Sequence, residues 1–259
     1  MPARTLVALL LVLFPALAQT NPRQVRRFLD TPLTTPEVVA AEIRQYLMTR
    51  APHLPQVSSA DEWTRRAGDL RRRMLDEVVF HGWPKEWITA PLEVEDLGVF
   101  ATGPGYRMRK LRYEIVPGFW SAAILYEPER MNGKLPAVVN VNGHGQPGKA
   151  LEYKQKRCIN QAKRGILALN LEWINFGELT HKENAHWFQA HLDLAGASGL
   201  GLFYLAMRKG VDYLYDHPNA DRARIGVTGL SGGGWQTITL SALDERVTLS
   251  VPVAGYSTL

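Results

Sequence analysis

Gly229, Ser231 and Gly233 stand at the alternating positions of a Gly-x-Ser-x-Gly pattern, within Thr228-Gly229-Leu230-Ser231-Gly232-Gly233-Gly234-Trp235. A serine hydroxyl is a weak nucleophile unless it is held exposed beside a base, and a sharp strand-to-helix turn can hold it so. Such a turn crowds its flanking residues, which must be small, and glycine tolerates the unusual backbone angles. The bare pattern is weak evidence, because average Gly and Ser usage gives about one chance match per ten chains of this length. Its context strengthens it. Ile225 to Thr228 reads as a short buried strand after an Asp221-Arg222-Ala223-Arg224 turn, and Trp235 to Leu243 reads as a helix.

A second feature is the glycine-rich stretch Asn142-Gly143-His144-Gly145-Gln146-Pro147-Gly148-Lys149, which leaves the apolar run Pro136 to Val141. Acyl transfer passes through a tetrahedral intermediate whose oxyanion needs two aligned N–H donors. Gly232, directly after the nucleophile, supplies one. The amide of His144 is expected to supply the other, with Gly145 as the next choice. A phosphate cradle is the rival reading of this loop, but the Walker spacing is absent and no Ser or Thr follows Lys149.

His181, Glu183, His186 and His191 cluster locally. Metal ligands on one helix face recur every three or four residues, whereas these histidines recur every five, and His-Glu-x-x-His is absent. They are read as surface or cleft histidines, so no metal is expected. Glu172 to Glu178, with Trp173 and Phe176, is a candidate pocket wall, although aromatic core packing accounts for both rings equally well.

These groups need a scaffold. Strands are expected at Glu93 to Phe100, Met108 to Ile115, Phe119 to Tyr126, Pro136 to Val141 as a central strand buried on both faces, Gly165 to Leu171, and Val247 to Val253 as a further buried strand. Helices are expected at Leu151 to Arg164 and, as one long element, His191 to Tyr215. Strands alternating with helices imply a mostly parallel sheet covered on both faces, with ligands at the strands' C-terminal ends. The loops at Asn142, Glu172 and Gly229 then converge on one side.

The chain has 259 residues, 46% of them hydrophobic, enough for one compact domain with an appendage. Arg4, the apolar run Leu6 to Phe14 and Ala16-Leu17-Ala18 form the three regions of a secretory signal peptide over residues 1–18, cleaved before Gln19. Export is therefore expected, secreted or periplasmic, with no stable membrane insertion after cleavage. The single cysteine, Cys158, excludes an intrachain disulfide and reads as a bystander. Residues 19–90 read as a helical segment in which Thr35 with Pro36, and Ser59 with Glu62, open helices. Arg65, Arg66 and Arg71 to Arg73 alternate there with Trp63, Ala67, Leu70, Met74 and Val78. This is the solvated face of an amphipathic helix, and no nucleic-acid partner is expected from the net charge of +5.

Pro136 to Gly145 together with Arg224 to Gly234, and the helix Gly199 to Tyr215 leading to Asp221, resemble the α/β-hydrolase superfamily. Within it the chain looks most like bacterial acetyl xylan esterase-like proteins and more distantly like prolyl oligopeptidase-type hydrolases. The resemblance covers residues 91–259 and implies a cofactor-free Ser-His-acid hydrolase with Ser231 as nucleophile, acting on a small-molecule or carbohydrate ester such as acetylated polysaccharide. A peptidase and a non-catalytic, degenerate hydrolase domain used for binding are the alternatives. Asn142 stands where many relatives carry a histidine. In that superfamily the acid and then the histidine follow the serine along the chain. The 28 residues after Ser231 contain Asp244 and Glu245 but no histidine. The sequence is therefore read as truncated at its C-terminus, with the catalytic acid and histidine expected beyond residue 259.

Overall fold

The computed structural model describes residues 21–51, 53–100 and 103–256. The expected signal peptide lies outside the described residues. The chain divides into two compact units, one ending at Gln56 and a larger one from Val57 onward. In the smaller, α1 spans Pro22–Leu29 and α2 spans Pro36–Arg50. Asn21 and Thr35 cap them, accepting from the amides of Arg23 at 3.0 Å and Val38 at 3.4 Å. Proline opens each helix, where a missing N–H costs no hydrogen bond.

The larger unit begins with α3 (Ala60–Arg73), a π-helical turn Met74–Val79 and α4 (Lys85–Ile88). Ser59 caps α3 as expected, accepting from the Glu62 amide at 3.1 Å. The buried face of α3 is not the expected one. Trp63, Leu70, Met74 and Val78 remain exposed, while Val79 is buried and Leu75 packs against the core. Arg71 fixes this rotation by bonding the Ala242 carbonyl at 3.0 Å and pairing with Glu245.

Seven strands follow: β1 (Val94–Phe100), β2 (Tyr106–Val116), β3 (Phe119–Pro128), β4 (Leu135–Asn140), β5 (Leu167–Leu171), β6 (Ala220–Leu230) and β7 (Leu249–Val253). They form one sheet in the order β1-β2-β3-β5-β4-β6-β7. β5, β4, β6 and β7 pair in parallel, and the β1–β2–β3 meander joins β5 through an antiparallel β3/β5 ladder. All five residues of β5 are buried, which is why its sequence Leu-Ala-Leu-Asn-Leu lacks a clean apolar alternation.

Helices cover both faces. α5 (Glu152–Lys163) buries Cys158 and Ala162 against Met108, Ile124, Tyr126 and Ala168. α6 (Ala190–Leu194) precedes α7 (Gly199–Asp216), which lies with α8 (Gly232–Leu243) on the opposite face, over Leu125, Val139, Leu169 and Val227. Burial pushes the Cys158 thiol up to about 12, so it has no nucleophilic character at neutral pH.

Three expected elements differ. The long helix from His191 breaks at Ala195 to Ser198, because Gly196 adopts φ 87° and the amides of Gly196 and Ala197 close back on Asp193 and Leu192. Asp221 to Arg224 lies inside β6 rather than in a separate turn, although Asp221 accepts from the Ala223 amide at 3.0 Å and the ladder to β4 shifts register there. β7 is not buried. It forms the sheet edge with all five residues exposed, Leu249 at 57%.

Candidate active site

β6 ends at Leu230, α8 begins at Gly232, and Ser231 between them has φ 59° and ψ −119°. A non-glycine residue pays about 1–3 kcal/mol for such a conformation and keeps it only where its surroundings impose it. Here the Ser231 amide donates to the Val253 carbonyl at 2.8 Å, and its own carbonyl accepts from the Trp235 amide at 3.0 Å. The glycine spacing has a steric cause. A β-carbon at Gly229 would lie 2.5 Å from the Gly233 carbonyl oxygen, and one at Gly233 would lie 2.7 Å from that of Val141. The serine thus sits exposed at the strand-to-helix turn that its sequence context indicates.

The loop after β4 lies directly against this turn. A β-carbon on Gly143 would come 2.5 Å from the Leu230 carbonyl oxygen and 3.1 Å from the Gly232 nitrogen. Asn142 is buried and anchors the loop. Its Nδ2 donates to Asn170 Oδ1 at 2.7 Å and to the Leu171 carbonyl at 2.5 Å, while its carbonyl accepts from Gln236 Nε2 at 2.6 Å. Gly232 is the first residue of α8, so its N–H has no acceptor within the helix and is free for a ligand.

A cavity of about 510 Å³ opens at the turn, within the range of small-molecule sites. His144, Trp173, Ser231 and Gly232 line it, so the three expected loops do converge. His186, read as a surface or cleft histidine, lines it as well, and so do Phe203, Trp235 and Tyr256, none of which carried a sequence signal that placed it there. The His144 ring meets Trp173 edge-on at 4.8 Å and Phe176 at 5.4 Å, while His186 lies 4.4 Å from Trp173 and 5.0 Å from Phe203. His186 Nε2 hydrogen-bonds the Ile174 carbonyl at 3.0 Å. Burial holds its pKa below the ordinary histidine value, with His144 acting in the same direction, so it is neutral at pH 7.

Other candidates fall elsewhere. His181 caps a short turn by accepting from the Glu183 amide, and His191 bonds the Phe188 carbonyl; neither lines the cavity with Ser231. Glu172 is not a pocket wall but a buried clamp. Its Oε2 receives Lys149 Nζ at 2.8 Å and its Oε1 receives the Lys149 amide at 2.8 Å, and Lys149 also pairs with Glu178. Lys149 therefore serves carboxylates rather than a phosphate. Asp244 and Glu245, at the far end of α8, are committed to Arg246 and Arg71.

No protein-family profile matches the chain, and no curated protein matches it in sequence. Solved structures do resemble it. A Bacteroides fragilis protein assigned as an acetyl xylan esterase superposes with a TM-score of 0.64 at 21% identity, over 84% of this chain and 59% of that one. Acetyl xylan esterase 1 of Thermoanaerobacterium sp. JW/SL YS485 gives 0.54 at 20% identity, over 84% of this chain and 61% of that one. A glucuronoyl esterase of Solibacter usitatus gives 0.53 at 15% identity, over 74% and 59%. The chain thus spans about 60% of the length of these three structures. With its mixed sheet, its helices on both faces and its serine at the strand-to-helix turn, the chain has the fold of the acetyl xylan esterase-like α/β-hydrolases.

Proposed function

We propose that this chain carries the nucleophile and oxyanion-binding part of an exported serine hydrolase that cleaves carboxylic esters, with acetyl groups on polysaccharide as the substrate class. The observation that carries the reading is the strained backbone of Ser231, held beside the Asn142–Gly145 loop at the mouth of an aromatic-lined cavity. Ser231 Oγ adds to the ester carbonyl as its proton passes to a histidine. The resulting oxyanion takes hydrogen bonds from the amides of Gly232 and His144, and the alcohol leaves with the proton. Water then attacks the acyl-enzyme, releasing the acid and restoring the serine.

The esterase names of the superposed structures support the substrate class, and the aromatic walls suit a sugar ring or a small acyl group. For the base and its acid partner, we propose residues outside these 259. The chain matches about 60% of the length of those esterases, and His186, one of the two histidines in the cavity, has its Nε2 committed to a backbone carbonyl. A non-catalytic binding domain is the second reading, in which the aromatic-lined cavity holds a ligand without turnover.

The assay is acetyl-ester hydrolysis by this chain, by the natural protein containing it and by the Ser231→Ala variant of each. Ser231-dependent turnover confined to the longer protein supports the proposal. Turnover by neither establishes the binding reading, and robust turnover by the 259 residues assigns the base to His144 or His186. Export is checked by N-terminal sequencing of secreted material, which should begin at Gln19. A mature product that keeps Met1 to Ala18 overturns that part.

A further inference from the structure

Lys154, on α5, belongs to no function derived so far, yet its surroundings are unusual. The residue is 1% exposed, and its ammonium donates to the Gly143 carbonyl at 3.0 Å. Among the described residues this is its one hydrogen-bond acceptor. Burying an ammonium is costly unless it is paired, and an apolar side chain of similar volume would cost less. Burial pushes its pKa down to about 8, with Glu172 pulling it up and Arg157 adding to the fall. Core stability alone does not explain a lysine here.

Its position does. The Gly143 carbonyl belongs to the same peptide unit as the His144 amide. In a planar trans peptide, C=O and N–H point in opposite directions. Fixing the carbonyl inward on Lys154 therefore turns the His144 N–H outward, away from α5. Gly143 itself lies against Leu230 and Gly232, and His144 lines the cavity, so the outward side of this peptide is the Ser231 side. A cationic donor on the carbonyl also polarises the peptide and makes its N–H a stronger donor.

We propose that Lys154 is a positioning residue whose grip on the Gly143 carbonyl aims the His144 amide at the oxyanion formed on Ser231. The proposal deepens the esterase reading and rests on it. Lys154 touches no substrate; it acts through one peptide.

The test uses the natural protein containing this chain, with Lys154→Met and Lys154→Arg. Methionine keeps the volume and removes the donor, whereas arginine keeps a cation and donors. Losing one oxyanion donor outright costs about 10²–10³ in kcat, so misaiming it should cost about ten- to a hundredfold. The expected result is that fall in kcat for K154M on p-nitrophenyl acetate, KM within about threefold, and thermal stability unchanged or raised. The amide resonance of His144 should shift in K154M and return toward the parent position in K154R, which recovers most of the kcat.

Unchanged kcat in K154M overturns the proposal. So does a fall in kcat that tracks lost stability and that arginine does not rescue. If K154M does not fold, Lys154→Gln carries the same comparison. If the parent shows no Ser231-dependent hydrolysis, the esterase reading fails. The aiming of the peptide is then judged on the His144 resonance alone, and an unshifted amide overturns it.

Discussion

The imidazole Nδ1 of His144 lies 3.3 Å from the place that a β-carbon on Gly232 would take. The two residues proposed to bind the oxyanion are thus in contact distance, although one follows β4 and the other follows β6. The same imaginary β-carbon would sit 2.5 Å from Trp173 Cη2. Gly232 is therefore the floor of a crevice closed by two aromatic side chains.

Gly232→Ala should overpack this crevice. The methyl group has to displace the Trp173 indole or move the start of α8, at a cost of about 1–3 kcal/mol. Turnover should fall further than stability does, because the displaced elements carry both proposed donors. Urea unfolding and acetyl-ester kinetics on the same preparation separate the two effects.

Ser231→Gly and Ser231→Ala should both abolish turnover, by about 10⁴–10⁶ if the serine is part of a working triad. Their stabilities should differ. Alanine keeps the β-carbon in a backbone conformation with φ 59°, and glycine relieves it. Ser231→Gly is expected to be more stable than Ser231→Ala by about 1 kcal/mol. Equal unfolding midpoints would show that the turn is not strained.

Glu172→Gln should destabilise the protein by about 3 kcal/mol, since breaking one partner of a buried pair leaves the other uncompensated. Glu172 has 0% side-chain exposure and joins the Lys149 loop to the Glu178 loop. Denaturant titration at pH 7 measures the loss. A loss below about 1 kcal/mol would mean that Glu178 takes over Lys149 unaided.

The depressed pKa of His186 gives stability a pH dependence of definite sign. The unfolded histidine takes a proton near its ordinary value of about 6.5, while the buried one resists until lower pH. Between those values the unfolded state binds more protons, so stability is full above about pH 6.5 and falls as the solution is acidified. His217, also depressed by burial, adds in the same direction. His186→Phe should flatten the slope between about pH 7 and 5, read from unfolding free energies, and an unchanged slope would assign it to other groups.

The elbow was legible in the sequence because its requirements are local. A buried strand, three small positions and a helix lie within one short stretch, and sterics at Gly229 and Gly233 explain why no other residue fits. That a glycine-rich loop leaves β4 beside Ser231 was legible for a similar reason, as glycines directly after a central strand. What stayed hidden depends on partners distant in the chain. Lys154 carried no signal of its own within the expected Leu151 to Arg164 helix, and its burial goes with the contact it makes to the loop after β4. The sequence left His186 as either a surface or a cleft histidine, and its contacts with Trp173 and Phe203 decide for the cleft.

The hydrogen bond from the Ser231 amide to the Val253 carbonyl ties the strained serine to β7, a strand that lies 18 to 22 residues further along the chain. Local openings of a native protein occur at free energies below that of global unfolding. An opening that parts β7 from Ser231 would release one of the two backbone hydrogen bonds on the serine and let its backbone relax. The geometry proposed for catalysis then depends on how firmly β7 is held, and amide exchange at Ser231 should report that directly.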